Sequence, residues 1–248
     1  HILKYYNYYV FINMDAHKIN AILKSITDVK IAVYGDFCLD SYWILNEQSS
    51  EISIETGLPV HTVLQSYHTP GGAANVVANL AALRPASIKV IGVVGNDMHG
   101  RELTAQLKTL QADTSTLFIQ NEDFDTYTYL KRHVAGAEQS RIDFGIANRR
   151  SIETDALILD ALEKALQTCD ALIFNQQVTG SITNDCFIER VNELFAKYTD
   201  KIIVIENEEH REILVSYFET HYRDNEEQTY ECTSLIDVQP GQSLLEAI

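Results

Sequence analysis

Residues 70–83 read Pro70-Gly71-Gly72-Ala73-Ala74-Asn75-Val76-Val77-Ala78-Asn79-Leu80-Ala81-Ala82-Leu83, a Gly-Gly turn that runs into a helix of small residues with Asn75 one turn in. Two adjacent glycines reach backbone conformations closed to other residues and let a ligand approach main-chain N–H groups. The helix that follows directs its N-terminus, with free N–H groups and partial positive charge, toward whatever lies at the glycines. Its alanines, Ala73, Ala74, Ala78, Ala81 and Ala82, also suit close packing on a sheet. On these residues alone, both readings stand.

Working outward, strand and helix signals alternate on both sides. Upstream, Ile19, Ile22, Leu23 and Ile26 are spaced as an amphipathic helix over Asp15 to Thr27, and Lys30 to Tyr34 is a short β-rich run ending at Gly35-Asp36. Downstream, Ile88 to Val94 is a continuous apolar strand suited to a sheet covered on both faces. A helix over Gly100 to Leu110, a strand at 116–119, a helix over Thr154 to Gln167, a strand at 171–174, a helix over Asp185 to Tyr198 and a strand at 202–205 follow. Short connections between alternating elements predict an α/β fold: a doubly wound, mainly parallel sheet with helices on both faces.

Two stretches break the alternation. Between 42 and 69, Ile52, Ile54, Val60, Val63 and Leu64 sit among polar residues, and between 116 and 144 a period-two pattern folds around Ala135-Gly136-Ala137 as a hairpin would. Both are read as exposed strands of a small β lid inserted in one domain over 14–248. The aromatic stretch 1–13 is read as a leader, because Met14-Asp15 opens a good helix, with a genuine N-terminal strand as the alternative. The tail from Glu206 onward, with Glu208-Glu209-His210-Arg211 and Asp224-Asn225-Glu226-Glu227, reads as turn-rich solvated surface.

The 248 residues carry a net charge of -16, which excludes a broad grip on nucleic-acid phosphates or an anionic membrane. A local cationic pocket for a small phosphate-bearing ligand remains compatible with it. Cys38, Cys169, Cys186 and Cys232 are scattered, with no CxxC pair and no histidines at metal-ligand spacing, so they read as reduced thiols of a cytoplasmic protein without a metal site. No apolar run approaches the ~20 residues of a membrane helix.

In doubly wound sheets ligands gather outside the carboxyl ends of the strands. Asp36 and Asp40 follow the first strand, Asn96 and Asp97 the strand at 88–94, and Asn175-Gln176-Gln177 the strand at 171–174, with the Gly-Gly turn beside them. Together they outline one cleft, although each acid taken singly also suits a helix cap or turn. A carboxylate there fits a polyhydroxylated ligand, since it accepts two hydroxyl hydrogen bonds and its charge strengthens both. No G-x-G-x-x-G follows the first strand and no G-x-x-x-x-G-K occurs, which argues against the common dinucleotide and P-loop folds.

Val33-Tyr34-Gly35-Asp36-Phe37-Cys38-Leu39-Asp40-Ser41-Tyr42-Trp43, then Pro70-Gly71-Gly72-Ala73-Ala74-Asn75-Val76, then Val90-Ile91-Gly92-Val93-Val94-Gly95-Asn96-Asp97 together resemble the PfkB, or ribokinase-like, carbohydrate kinases. Tyr129-Leu130-Lys131-Arg132 and Ser140-Arg141-Ile142-Asp143-Phe144 resemble the lid strands of the heptose-phosphate kinase branch. The resemblance implies an ATP- and magnesium-dependent phosphoryl transfer to a hydroxyl of a sugar or sugar phosphate. It implies Asp40 and Asp36 on sugar hydroxyls, Gly71, Gly72 and Asn75 holding the sugar through backbone and amide, and Lys131 and Arg141 reaching from the lid. A homodimer clasped through the lids is implied as well, covering Ile52 and Ile54.

The likeness weakens where the reaction should occur. The family carries Gly-Ala-Gly-Asp as anion hole and general base, and the corresponding stretch Leu235-Ile236-Asp237-Val238-Gln239-Pro240-Gly241-Gln242 places Gln242 where the aspartate belongs. A carboxamide takes up no proton at neutral pH, and loss of a general base costs ~10² to 10⁴ in rate. Pro240 removes one N–H donor. No Asn-x-x-Glu follows the strand at 202–205, and the resemblance implies more chain after Ile248 than is present. The alternative to a working kinase is therefore a degenerate homologue that binds a sugar or nucleotide without turning it over.

Overall fold

The computed structural model describes residues 16–47, 51–178, 185–207, 212–223 and 226–237, with side-chain surroundings for 20–47, 51–178 and 186–204. After α1 (Ala16–Ser25) the chain enters β1 (Lys30–Gly35), turns at Asp36 into β2 (Phe37–Leu45), and returns along β3 (Val63–Gly72) into α2 (Ala73–Leu83). Then come β4 (Ser87–Gly95), α3 (Met98–Thr109) and β5 (Asp113–Gln120). β6 (Thr128–Val134), β7 (Ala137–Glu138) and β8 (Ile142–Phe144) precede α4 (Ile152–Thr168), β9 (Ala171–Gln176), α5 (Asp185–Lys197) and β10 (Ile202–Asn207). β11 (Glu212–Arg223) and β12 (Glu226–Asp237) close the described chain.

Seven strands form the main sheet in the order β12-β11-β10-β9-β1-β4-β5. From β10 to β5 all neighbours are parallel, and β1 sits where the order reverses, with β4 on one side and β9 on the other. The apolar run of β1 explains its central place: Ile31, Ala32, Val33 and Tyr34 are all buried, as a strand covered on both faces requires. One face packs Val33, Val90, Phe37 and Leu39 against Val77 of α2 and Leu103 and Leu107 of α3. The other packs Tyr34, Ile91 and Phe174 against Ile158, Leu162 and Leu166 of α4 and Phe187 and Val191 of α5.

The second sheet is built on β2, antiparallel to β3 and parallel to β6, with β7 and β8 antiparallel to β6. Val134 pairs with Ala137 across Ala135 and Gly136, which both have positive φ (52° and 80°), the conformation a two-residue hairpin turn demands. Its boundaries differ from the sequence reading in two respects. Residues 116–120 belong to β5 of the main sheet, because an edge strand shows the same half-exposed pattern as a lid strand. Between 46 and 62 the described chain holds only an isolated Ile52–Pro59 bridge, with Ile52 and Ile54 exposed.

The tail also departs from expectation. Instead of turn-rich surface, β11 and β12 pair antiparallel from Glu212↔Asp237 to Arg223↔Glu226 and continue the sheet beyond β10. Runs such as Ile213, Val215, Tyr217 and Phe218 favour extended backbone, a signal that the acidic flanks obscure. The leader reading of 1–13 and the assignments of Gly241 and Gln242 lie outside the described residues.

Candidate functional site

The reversal of strand order at β1 opens the main sheet at its carboxyl end, and Asp36 stands at that opening. Gly35 precedes it because a Cβ there would lie 2.1 Å from the Asn175 carbonyl oxygen of β9. Asp36 is buried, and its Oδ2 accepts the backbone N–H groups of Gln177 (3.0 Å) and Val178 (2.9 Å). Its own N–H donates to Asn175 O (3.2 Å), and its carbonyl oxygen accepts Ala73 N–H (2.9 Å) and the Cys38 thiol (3.3 Å). Asp36 therefore joins β1, the exit of β9 and the start of α2. A charged group this buried requires such donors.

Gly71 and Gly72 are read from sequence as a turn, yet both lie in β3, opposite Cys38 and Phe37 of β2. Gly72 is also the residue before α2, with φ +53° and ψ -133°, and a Cβ on it would sit 2.4 Å from Asp36 O. Glycine is thus required there by conformation and by space. Gly71 is different: it is buried, and a Cβ would rest 3.3 Å from Cys38 Cβ and 3.4 Å from Asp40 Cγ, so the position packs closely on β2 with a few tenths of an ångström to give. Asn75 is exposed on the first turn of α2.

Asp40 lies on β2, four residues beyond Asp36 and on the strand face that carries Tyr42 and Ile44. Register places Tyr129 and Lys131 of β6 beside Asp40 and Tyr42, and Thr69 and Tyr67 of β3 on the other flank. Lys131 Nζ stands 3.2 Å from Asp40 Oδ2, donates to Tyr42 Oη (3.2 Å) and lies 4.9 Å from that ring's centre. Burial works to lower the Lys131 pKa, but Tyr42 and Asp40 outweigh it and hold it above the usual value. Tyr42 stacks on Tyr67 with centroids 4.7 Å apart. Arg141 forms a bidentate pair with Asp143 (2.6 and 2.7 Å), which raises its pKa, and its guanidinium lies 4.4 Å from the Tyr129 ring centre.

Of the residues expected at the site, Asp40, Gly71, Lys131 and Arg141 gather on or beside one face of the small sheet. Asp36 and Gly72 form its root, and Asn75 stands apart on the helix surface. Asp97, read as a cleft acid, instead caps α3: its Oδ1 accepts Gly100 N–H (2.7 Å) and its Oδ2 accepts Thr126 N–H (2.8 Å). Asn96 donates to Asn121 Oδ1 (3.0 Å).

Sequence reasoning missed Arg150. Its side chain is 7% exposed, donates to Tyr34 Oη (2.8 Å), pairs with Asp155 (2.8 Å) and stacks on Phe187. Burial pushes the Tyr34 hydroxyl up to about 12 against the opposing pull of Arg150. A narrow crevice lined by Tyr34, Asp36, Tyr127 and Arg150 runs beneath the site. Nothing in the Arg149-Arg150 pair itself signals burial; the packing of α4 on the sheet buries the Arg150 side chain. Among the described residues no three His, Cys, Asp or Glu side chains cluster as metal ligands, and no described helix is long and apolar enough to cross a membrane.

The model of the family described as pfkB family carbohydrate kinase matches residues 29–181. The bifunctional protein HldE of Coxiella burnetii is 31% identical over 220 residues, covering 84% of this chain and 44% of that protein. Its namesake from Chromohalobacter salexigens is 35% identical over 160 residues, covering 64% and 32%. The chain thus spans less than half the length of these relatives. Among solved structures, ribokinase from Giardia lamblia superposes with a TM-score of 0.53 at 18% identity, covering 74% of this chain and 56% of that one. Fructokinase from Xylella fastidiosa gives 0.50 at 16%, covering 73% and 53%; both share the α/β fold.

Proposed function

The chain belongs to the pfkB family of carbohydrate kinases, and from that premise we propose that it binds a sugar or sugar phosphate at Asp40 and phosphorylates one of its hydroxyls from MgATP. The observation that carries the reading is the Asp40–Lys131 pair at 3.2 Å, with the Asp40 side chain still 22% exposed. Asp40 accepts two sugar hydroxyls; Lys131, held charged, orients the carboxylate. Gly71 and Gly72 form the β3 side of the site toward α2, and Asn75 lies outside it on the helix surface. Arg141 faces the far end of the substrate, where a phosphate would exchange with Asp143. Asp36 supports this site from below.

Phosphoryl transfer of this kind rests on positioning and on electrostatic stabilisation of the moving group. ATP with its magnesium enters as co-substrate, with Gly241 as the anion-hole position. Gln242 favours a second reading, a sugar- or nucleotide-binding protein with little turnover, because a carboxamide is no base. Heptose phosphates head the substrate list by the resemblance of the Lys131 and Arg141 segments. The exposed Ile52, Ile54, Leu58 and Leu64 are the surface for a homodimer formed through the small sheets.

The test is ATP consumption over pentoses, hexoses and heptose phosphates, with calorimetry for binding. Asp40→Ala removes two charge-assisted hydrogen bonds, an expected loss of about 3 kcal/mol or more than a hundredfold in sugar Kd, with the fold intact by circular dichroism. Unchanged sugar affinity would refute the assignment. Gln242→Asp should gain turnover if the base alone is lacking.

A further inference from the structure

The small sheet is anchored at the point where the chain leaves β5 and enters β6, and that anchor is built with no spare space. Asp97 ties it from the main sheet through Thr126 N–H while capping α3 through Gly100 N–H. Thr126 answers with its hydroxyl, which accepts Gly95 N–H at 3.0 Å. A Cβ on Gly95 would lie 2.3 Å from Asp97 Oδ2 and 2.6 Å from Phe124 O; one on Gly100 would lie 2.5 Å from Gly95 O and 2.8 Å from Thr126 Oγ1. Gly95, Asp97, Gly100 and Thr126 therefore interlock. Asp97 registers the same environment: burial would raise its pKa, but the Thr126 and Gly100 donors hold it below the usual carboxylate value.

The anchor continues directly into the strand that carries Lys131. Thr128 Oγ1 donates to Thr126 O (3.0 Å), and Tyr127 O accepts Leu39 N–H (2.9 Å), fastening β6 to β2 beside Asp40. The return segment is strapped at the same level: Asn148 exchanges two hydrogen bonds with the Asp125 backbone (2.8 and 2.7 Å), and Arg149 N–H donates to Asp123 O (2.9 Å). β6 then runs beside β2 from Leu39↔Thr128 to Leu45↔Val134, and that ladder sets Lys131 beside Tyr42 and Asp40, so a change in the angle at which β6 leaves the anchor works directly against it.

We propose that Asp97 is a positioning residue for the sugar site: through Thr126 it fixes the angle at which β6 presents Lys131 to Asp40, without touching the sugar. The inference rests on the reading of Asp40 and Lys131 as that site. An N-cap alone would stabilise α3 and leave the small sheet indifferent to Asp97.

Hydrogen exchange followed by mass spectrometry, on the protein without sugar or ATP, separates the two. Asp97→Ser keeps an oxygen for Gly100 N–H but is too short to hold Thr126 as well; Thr126→Val keeps the N–H and loses the bond to Gly95. In both, exchange over 128–134 should rise tenfold or more, while β1, β4 and β9 stay within about twofold of wild type. Acrylamide quenching of Trp43, the chain's one tryptophan and a β2 residue, should increase in parallel. Lys89→Met, which breaks the ion pair with Asp113 at the opposite end of β4, is the control for general loss of stability. An equal rise across β1, β4 and β6, or no rise at 128–134, overturns the proposal, and Thr126→Val decides alone if Asp97→Ser fails to fold. Failure of the kinase reading would appear separately, in calorimetry of Asp40→Ala.

Discussion

Replacing Gly72 by alanine should cost far more than the same change at Gly136, although both glycines have positive φ. At Gly136 (φ +80°) nothing lies within 4 Å of a new Cβ, so the penalty is the left-handed conformation itself, about 1 kcal/mol. Gly72 combines φ +53° with ψ -133°, a region that is nearly glycine-only and costs another residue about 1–3 kcal/mol. The Cβ would also meet Asp36 O at 2.4 Å and Cys38 Sγ at 3.0 Å. Relieving that clash pushes Asp36 O from Ala73 N–H, a further loss of about 1 kcal/mol. The sum, about 2–4 kcal/mol, corresponds to a fall of roughly 4–16 °C in Tm for a chain of this size. Paired thermal melts of the two variants make the measurement. If they lose the same stability to within about 0.5 kcal/mol, the steric account of the β1–α2 junction is wrong.

Arg150→Met should destabilise by about 3–5 kcal/mol, because it leaves the Asp155 carboxylate buried without its guanidinium partner; urea titration should find most of that loss recovered in Arg150→Met/Asp155→Leu, and no recovery would mean that the stacking on Phe187 dominates. The depressed Asp97 pKa makes the small-sheet anchor acid-sensitive: its contribution is complete above the ordinary carboxylate pKa of about 4 and is lost as pH falls through the lower folded value. Thermal melts from pH 6 to pH 3 should accordingly fall less steeply for Asp97→Ser than for wild type, and parallel curves would contradict the anchor.

The central sheet is legible in the sequence because its strands are buried on both faces: Ile31 to Tyr34 and, Lys89 apart, Ile88 to Val94 are nearly unbroken apolar runs, a pattern that surface elements do not show. The small sheet is legible at its hairpin, where Ala135-Gly136 meets the turn's demand for positive φ, and ambiguous at 116–120, since edge strands of either sheet alternate alike. β11 and β12 were hidden by their acidic flanks. At the site, glycines and carboxylates announce a cleft, but sequence does not say which acids face the ligand. Asp97 and Asp36 look as available as Asp40 until the partners supplied by Thr126, Gln177 and Val178, far away in the chain, are placed. Arg150 is the converse case, a cation whose burial depends on how α4 lies across β1.

The distinction between Asp36 and Asp40 shows why the partners matter more than the residue type. A ligand hydroxyl can bind a carboxylate only where the groups already bonded to it can move or share. Asp36 is held by main-chain amides at the end of β9, and displacing Gln177 or Val178 would unpick the exit of a central strand. Asp40 is held by an ammonium on a flexible four-carbon stem, with the carboxylate still 22% exposed. In the sugar site proposed above, Lys131 would swing aside by a rotamer change and keep its charge near the carboxylate, so Asp40 would exchange one partner for another at little cost. The two acids of one motif would then divide the work by the mobility of what they bind: immobile partners suit Asp36 to be the joint of that proposed site, and a mobile one suits Asp40 to be its receptor.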